Sequence, residues 1–233
     1  HPHCRRQRQM CIRDSVRPDA GISSVKGLKG KKILTTANAG VNTFFPLVLR
    51  SNGMSLSDVN LTNVPDGALV SSYLQGAGGA VAILGGFDDK PAEIKANGGA
   101  TPVAFPYSDY GVNQVGYCIS THQDTLKNNP GLVERFVRAT MVAYKETEKN
   151  PDAAVNSMAD IVGGTMAEKS GKEQARSVLD VTLGILYSKA NTNRTMGLHV
   201  DSDWADMLGL MKKFNDMQTR KSDSDFYTNH FIN

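Results

Sequence analysis

Four short stretches concentrate the residue types that could hold a small molecule: TTANAGVNT (35–43), VPDGAL (64–69), GGFDDKP (85–91) and PYSDYGVN (106–113). Small polar residues ahead of a helix leave backbone N–H groups pointing outward, a seat for an anion or a polar ring substituent. This singles out Thr36, Ala37 and Asn38. Phe87, Tyr107 and Tyr110 offer flat faces for stacking on an aromatic ring. Asp88 and Asp89 could accept hydrogen bonds from ring nitrogens or an amine, with one of them also free to cap the next helix. Asp66 has the same two readings, ligand acceptor or helix cap. Phe44 and Phe45 read as core.

Other chemistries find little support. There is no G-x-S-x-G, no phosphate-binding G-x-x-x-x-G-K-[ST] and no H-E-x-x-H. GAGGA at 76–80 precedes an apolar run, whereas a dinucleotide loop follows a strand. Cys118 sits within QVGYCIS, where a buried small hydrophobe is expected rather than a nucleophile. His122 and His199 lack partners at metal-ligand spacing, so neither metal nor cofactor is expected.

The four stretches need elements to position them. Each follows a short apolar run: KILTT, VNLTNV, AVAIL and TPVAF. Helix patterns lie between the runs: VNTFFPLVLRSNG stopped by Gly53, DGALVSSYLQG stopped by Gly76, and KPAEIKANG with Pro91 near its start. A fifth strand is expected at QVGYCIS. Strands alternating with helices predict an α/β fold with a mostly parallel sheet, in which ligands gather beyond the carboxyl ends of the strands. After Thr121 the chain turns helical. Asn129 and Pro130 open a long helix whose Leu132, Phe136, Ala139 and Ala143 recur at helical spacing, and Pro151 opens another. Two further helices follow, in AEKSGKEQARSVLDVTLGILYSK and DSDWADMLGLMKKFNDM, so that residues 122–233 read as nearly all helix. No run of about eighteen apolar residues occurs.

The N-terminus differs from the rest. Residues 5–15, RRQRQMCIRDS, match one translated frame of a transposon-end adapter used in sequencing libraries. Residues 1–15 are accordingly expected to be an unstructured artefact, and residues 16–27 a linker or lobe crossover. Arg5, Arg6, Arg8 and Arg13 against Asp14 give that stretch +3, the net charge of the whole chain, so residues 16–233 are neutral overall. The basic character is therefore no argument for nucleic acid.

VKGLKGKKILTTANAG, VNLTNVPDGALVSSYLQG, the segment from DYGVNQVGYCIS through NPGLVERFVRATMVAYKETEKNPDAAV, and the ending SDSDFYTNHFI together resemble the thiamine-precursor, alkanesulfonate and nitrate family of ABC-transporter substrate-binding proteins, in its branch for pyrimidine precursors of thiamine. The resemblance covers nearly all of residues 22–233. It implies a periplasmic-binding-protein type II fold, in which two α/β lobes close on a ligand. Residues 28–121 would be lobe two and 122–233 the helical return to lobe one, whose sheet would lie upstream. The helices would then show exposed apolar stripes, and the chain alone would bind no ligand tightly. The implied role is non-enzymatic: capture of a small heteroaromatic molecule through Thr36, Ala37, Asn38, Asp66, Phe87, Asp88 and Tyr110, and delivery to a membrane permease by a monomer that is periplasmic or a membrane-anchored lipoprotein. The alternatives are uptake of an alkanesulfonate- or nitrate-type anion on the same fold, a pyrimidine-precursor synthase, whose cysteine-rich motif is not matched here, and a ligand-sensing domain of a regulator.

Overall fold

The computed structural model describes residues 12–232 apart from 38, 87 and 117. The expected strands at residues 32–106 form as β2 (Lys32–Thr35), β3 (Asn60–Asn63), β4 (Ala80–Gly86) and β5 (Val103–Pro106). A further strand, β1 (Ile12–Val16), precedes them. The sheet order is β3-β2-β4-β1-β5. β2 pairs in parallel with both β3 and β4, and β1 runs antiparallel to both β4 and β5. All strands except β1 therefore point one way, and their carboxyl ends emerge on one rim.

Residues 12–15 are thus not without structure. Asp14 pairs with Leu84 on one side and Phe105 on the other, and Ser15 with Ile83 and Ala104. Ladder pairing uses the backbone, so a polar segment can fill a central slot when both neighbours offer unpaired N–H and C=O groups. Within residues 16–27, expected as a linker or lobe crossover, Val16, Ile22 and Val25 are buried in the core. Residues 1–11 lie outside the described part of the chain.

Helices cover both faces of this sheet. Ile33, Ala82, Leu84 and Phe105 lie with Phe45, Leu47, Val48 and Leu49 of α1 (Val41–Ser51) in one buried cluster. Leu34, Ile83 and Ala80 lie with Leu69, Val70 and Tyr73 of α2 (Asp66–Leu74) and Ile94 of α3 (Lys90–Ala96) in the other. Ala80 and Ala82 face different clusters because the β2–β4 register slips between Lys32 and Ile33. Near-continuous apolar runs such as Ile33-Leu34 follow from burial on both sides.

Two compact units divide the described chain. The sheet unit comprises residues up to 113 together with 210–217, the end of α8 (Asp201–Phe214). Leu210, Met211 and Phe214 of that helix pack on the α1-side cluster. The other unit comprises 114–209 and 218–232. It holds α4 (Gln123–Asn128), α5 (Pro130–Lys149), α6 (Pro151–Val162), α7 (Lys169–Gly184) and the rest of α8. Asn129 and Asn150 cap α5 and α6, accepting the N–H of Leu132 at 3.2 Å and of Ala153 at 3.0 Å, each with proline in the first turn.

Three sequence readings change here. Among the described residues, 114–121 form no strand, and Cys118 is exposed. Residues 185–200 and 215–232 hold only turns and a short 3-10 segment. This irregular chain is held by side chains instead: Asn191 and Thr195 exchange two hydrogen bonds, and Trp204 stacks on Tyr227 at 5.0 Å. In α5, Val133 and Val137 are buried, while Leu132 and Phe136 of the expected core stripe are exposed.

Candidate functional site

At the end of β2, the buried Thr35 hydroxyl donates to Asn42 Oδ1 at 2.8 Å, and Asn42 Nδ2 donates to the Thr36 carbonyl at 2.9 Å. Asn42 so fixes the chain at Thr35 and Thr36, where the turn after β2 begins. The Thr36 hydroxyl reaches Asp66 Oδ1 at 3.4 Å, joining the turn after β2 to the start of α2. Pro65, not Asp66, occupies the cap position, and no side chain caps that helix. Asp66 instead lies in the first turn of α2, exposed and turned toward Thr36.

Beyond β4 the chain passes Gly85 and Gly86 into α3. A methyl group on Gly85 would collide with the Lys90 stem, and one on Gly86 with the Asp88 and Asp89 carboxylates. At both glycines, side chains approach the strand end closely. Lys90 Nζ lies 2.9 Å from Glu93 Oε2 and 3.5 Å from Asp89 Oδ2, with its side chain 12% exposed. Burial acts to lower the Lys90 pKa, but the bond to Glu93 and the charges of Asp89, Glu93 and Asp66 outweigh it and raise it. Burial also raises the Asp89 pKa, with the Asp88 charge adding to the rise and Lys90 opposing it.

Beyond β5, residues Tyr107–Tyr110 make a 3-10 turn closed by Gly111 in the left-handed region, at φ 83°. Asn52 ties that turn to the end of α1, donating to the Tyr110 carbonyl at 3.1 Å. Tyr107 is no stacking face: it is fully buried, 6.3 Å from the Phe45 ring, and its hydroxyl donates to Asp14 at 3.0 Å. Tyr110 is half-buried and packs edge-on against Phe105 at 5.8 Å.

The structure therefore brings Thr36 and Asp66 together, sets Ala37 beside them in the exposed turn, and places Asp88 against Gly86. Tyr110 lies on the same rim with its ring engaged by the core. Asn38 and Phe87 lie outside the described residues. Sequence reasoning missed Asn42, Lys90 and Glu93. The DDKPAE run carried a signal for the last two, a cation between acids at a helix start. Among the described residues no group of His, Cys, Asp or Glu is placed to hold a metal ion. His122 caps α4 and His199 contacts Trp204.

With a mixed sheet, two helical layers and a common rim of strand ends, the fold is of the periplasmic-binding-protein type II class. Residues 12–154 match the family described as NMT1/THI5 like, and the chain belongs to that family. No curated protein matches it in sequence. Solved structures share the fold. The alkanesulfonate-binding protein SsuA from Xanthomonas axonopodis pv. citri, bound to MOPS, superposes with a TM-score of 0.61 at 14% identity, over 94% of this chain and 70% of its own. The periplasmic aliphatic sulphonate binding protein SsuA from Escherichia coli gives 0.53 at 15% identity, over 75% of this chain. A mutant of the desulfurization enzyme DszB with biphenyl-2-sulfinic acid gives 0.51 at 15% identity, over 96% of this chain. The chain spans 56% of the length of the Escherichia coli protein.

Proposed function

We propose that the chain is part of the solute-binding component of an ABC importer, and that its sheet unit is one jaw of a two-lobed clamp. The ligand is proposed to meet Thr36, Ala37, Asn38, Asp66, Phe87, Asp88 and Tyr110. The other jaw would come from a second sheet, covered by the helices of residues 123–209 and supplied by sequence outside these 233 residues. Closure of two lobes on a ligand and docking of the closed form on a permease is the mechanism such an architecture supports. The working compartment would be the periplasm, with the protein free or lipid-anchored.

The ligand is proposed to be a pyrimidine precursor of thiamine or a similar heteroaromatic. The observation that carries this is the charge of the rim. Asp66, Asp89 and Glu93 act on Lys90 there, which is tied to Glu93 and Asp89, and Asp88 adds its charge beside Asp89. A sulfonate or nitrate needs uncommitted donors and positive charge. An aminopyrimidine instead presents N–H donors to carboxylates and a flat face to aromatics.

Calorimetry on a chain extended upstream by a lobe-one sheet tests this, with 4-amino-5-hydroxymethyl-2-methylpyrimidine, taurine and nitrate compared under the same conditions. The aminopyrimidine is expected to bind and the two anions to give no heat. Tight taurine binding without aminopyrimidine binding overturns the ligand assignment in favour of anion uptake.

A further inference from the structure

We infer that the slot between β4 and β5 is built for a strand other than the one that fills it: an uncharged extended segment of the natural chain leading into Val16, with an apolar side chain or a neutral acceptor at the Asp14 position and an apolar side chain at the Ser15 position. This rests on the sheet and on the adapter match of residues 5–15, and it stands or falls apart from the ligand reading.

β1 is an interior strand, with β4 on one side and β5 on the other. A strand covered by helices on both faces ordinarily carries a near-continuous apolar run. β2 and β4 do so, burying Ile33 and Leu34, and Ala82, Ile83 and Leu84. β1 departs from this at two successive residues. Asp14 pairs with Leu84 and Phe105 and shares a face with Val16, two residues on, toward the α1-side cluster. Ser15 turns the other way, between Ile83 and Ala104. Both are fully buried. Asp14 Oδ2 and the Ser15 hydroxyl oxygen have no hydrogen-bond partner, and Asp14 Oδ1 has only the Tyr107 hydroxyl. A buried polar atom without a partner costs its full desolvation, and more when it carries charge. Conflict of this kind between a segment and its surroundings counts against that segment as the one the site is shaped for. The conflict ends at Val16, which is fully buried, opposite Ala82, in the α1-side cluster. Val16 is also the first residue beyond the adapter match. Codon frame and side-chain burial thus change at the same residue, and neither depends on the other. The Tyr107 hydroxyl sets one condition on the fitted strand. With an apolar residue at position 14 it needs another acceptor, whereas threonine or asparagine there would supply one without a charge. β1 runs against both neighbours, so the segment enters the sheet at the rim, with Ile12 opposite Gly86 and Arg13 opposite Pro106. The natural segment would therefore pass between the turn that holds Asp88 and the turn that holds Tyr110.

Hydrogen exchange of the β4 and β5 amides, followed by mass spectrometry at pH 8, reads how well the slot is filled. The 233-residue chain is compared with Asp14→Thr, Asp14→Val, Ser15→Ala and, as the matched position, Val16→Ser. Asp14→Thr keeps an oxygen for Tyr107 and guards against an Asp14→Val chain that folds poorly. Asp14→Thr and Ser15→Ala are each expected to slow exchange in β4 and β5 by about fivefold or more, and Val16→Ser to speed it, with α5 to α7 unchanged throughout. Exchange that stays the same or quickens in one of the first two variants overturns the assignment at that position, and in both it overturns the inference. The second measurement is the sequence upstream of the Val16 codon, obtained from source DNA without adapter ligation. Uncharged residues are expected at the two positions before Val16. Asp followed by Ser encoded there overturns the inference whatever the variants show.

Discussion

Asp14 is the residue at which this fold works against itself. Its carboxyl is fully buried in an interior strand, with Oδ2 unpartnered and Oδ1 receiving only the Tyr107 hydroxyl. Burial pushes its pKa from 3.8 up to about 8, against the smaller opposing effect of that hydrogen bond. Burial, with the Asp14 charge adding to it, raises the Tyr107 pKa as well. An acid whose folded pKa lies above its unfolded value favours the folded state fully below the unfolded pKa, and that contribution is lost as pH rises through the folded pKa. Stability should therefore fall between pH 4 and pH 8 by an amount on the order of 5 kcal/mol. Asp14→Asn keeps an acceptor for Tyr107 and cannot ionise. It should be the more stable protein at pH 8 and should flatten the decline, as read from urea midpoints by circular dichroism at pH 5 and pH 8. A wild-type midpoint that does not move over that range would contradict the assignment. Nothing in the sequence pointed to this carboxyl, because a lone aspartate among arginines reads as solvated.

At the scale of elements, legibility followed side-chain periodicity. β2 to β5 and α1 to α3 were readable because their apolar runs are bounded by glycine, proline and asparagine at the positions where helices start and stop. The rim positions of Thr36, Asp66 and Asp88 came with them, since strand ends follow from strands. β1 was not readable: IRDSV has no apolar pattern, and its place depends on the hydrogen-bonding edges of β4 and β5 rather than on its own side chains. Lys90 was not readable because its role depends on a stem lying over Gly85, a contact made only by the folded turn. α5 shows a further limit. Leu132, Phe136, Ala139 and Ala143 make one apolar stripe and Val133, Val137 and Met141 another, and spacing alone does not choose between them. The structure buries Val133 and Val137, leaving Phe136 58% exposed. Phe136→Gln should accordingly change stability by no more than about 0.5 kcal/mol, whereas Val137→Asp should cost more than about 2 kcal/mol. Thermal unfolding of the two variants checks this, and a Phe136→Gln cost as large as that of Val137→Asp would show that the exposed stripe is covered in solution.

The two units differ in how much apolar surface they enclose. Both buried clusters belong to the sheet unit. In the other unit, α7 has no fully buried residue, and Leu132, Phe136, Val142, Met158, Ile161 and Val162 stand exposed on α5 and α6. An α5 that is apolar on two faces and an α6 with Met158 and Ile161 one turn apart are helices suited to burial on a second side. This is why we propose that they cover a sheet supplied by further chain. The energetic consequence holds for the 233 residues as they are. Local opening free energy tracks buried apolar contact, so the units should open independently and unequally. Hydrogen exchange followed by mass spectrometry should find the slowest amides in β2, β4 and α1 and markedly faster exchange throughout α5 to α7. Extending the chain with a lobe-one sheet should slow exchange in α5 and α6 and leave β2 and β4 unchanged. Equal protection of both units in the 233-residue chain would mean that the helices already bury their second stripe, and the proposal of a covering sheet would fall with it.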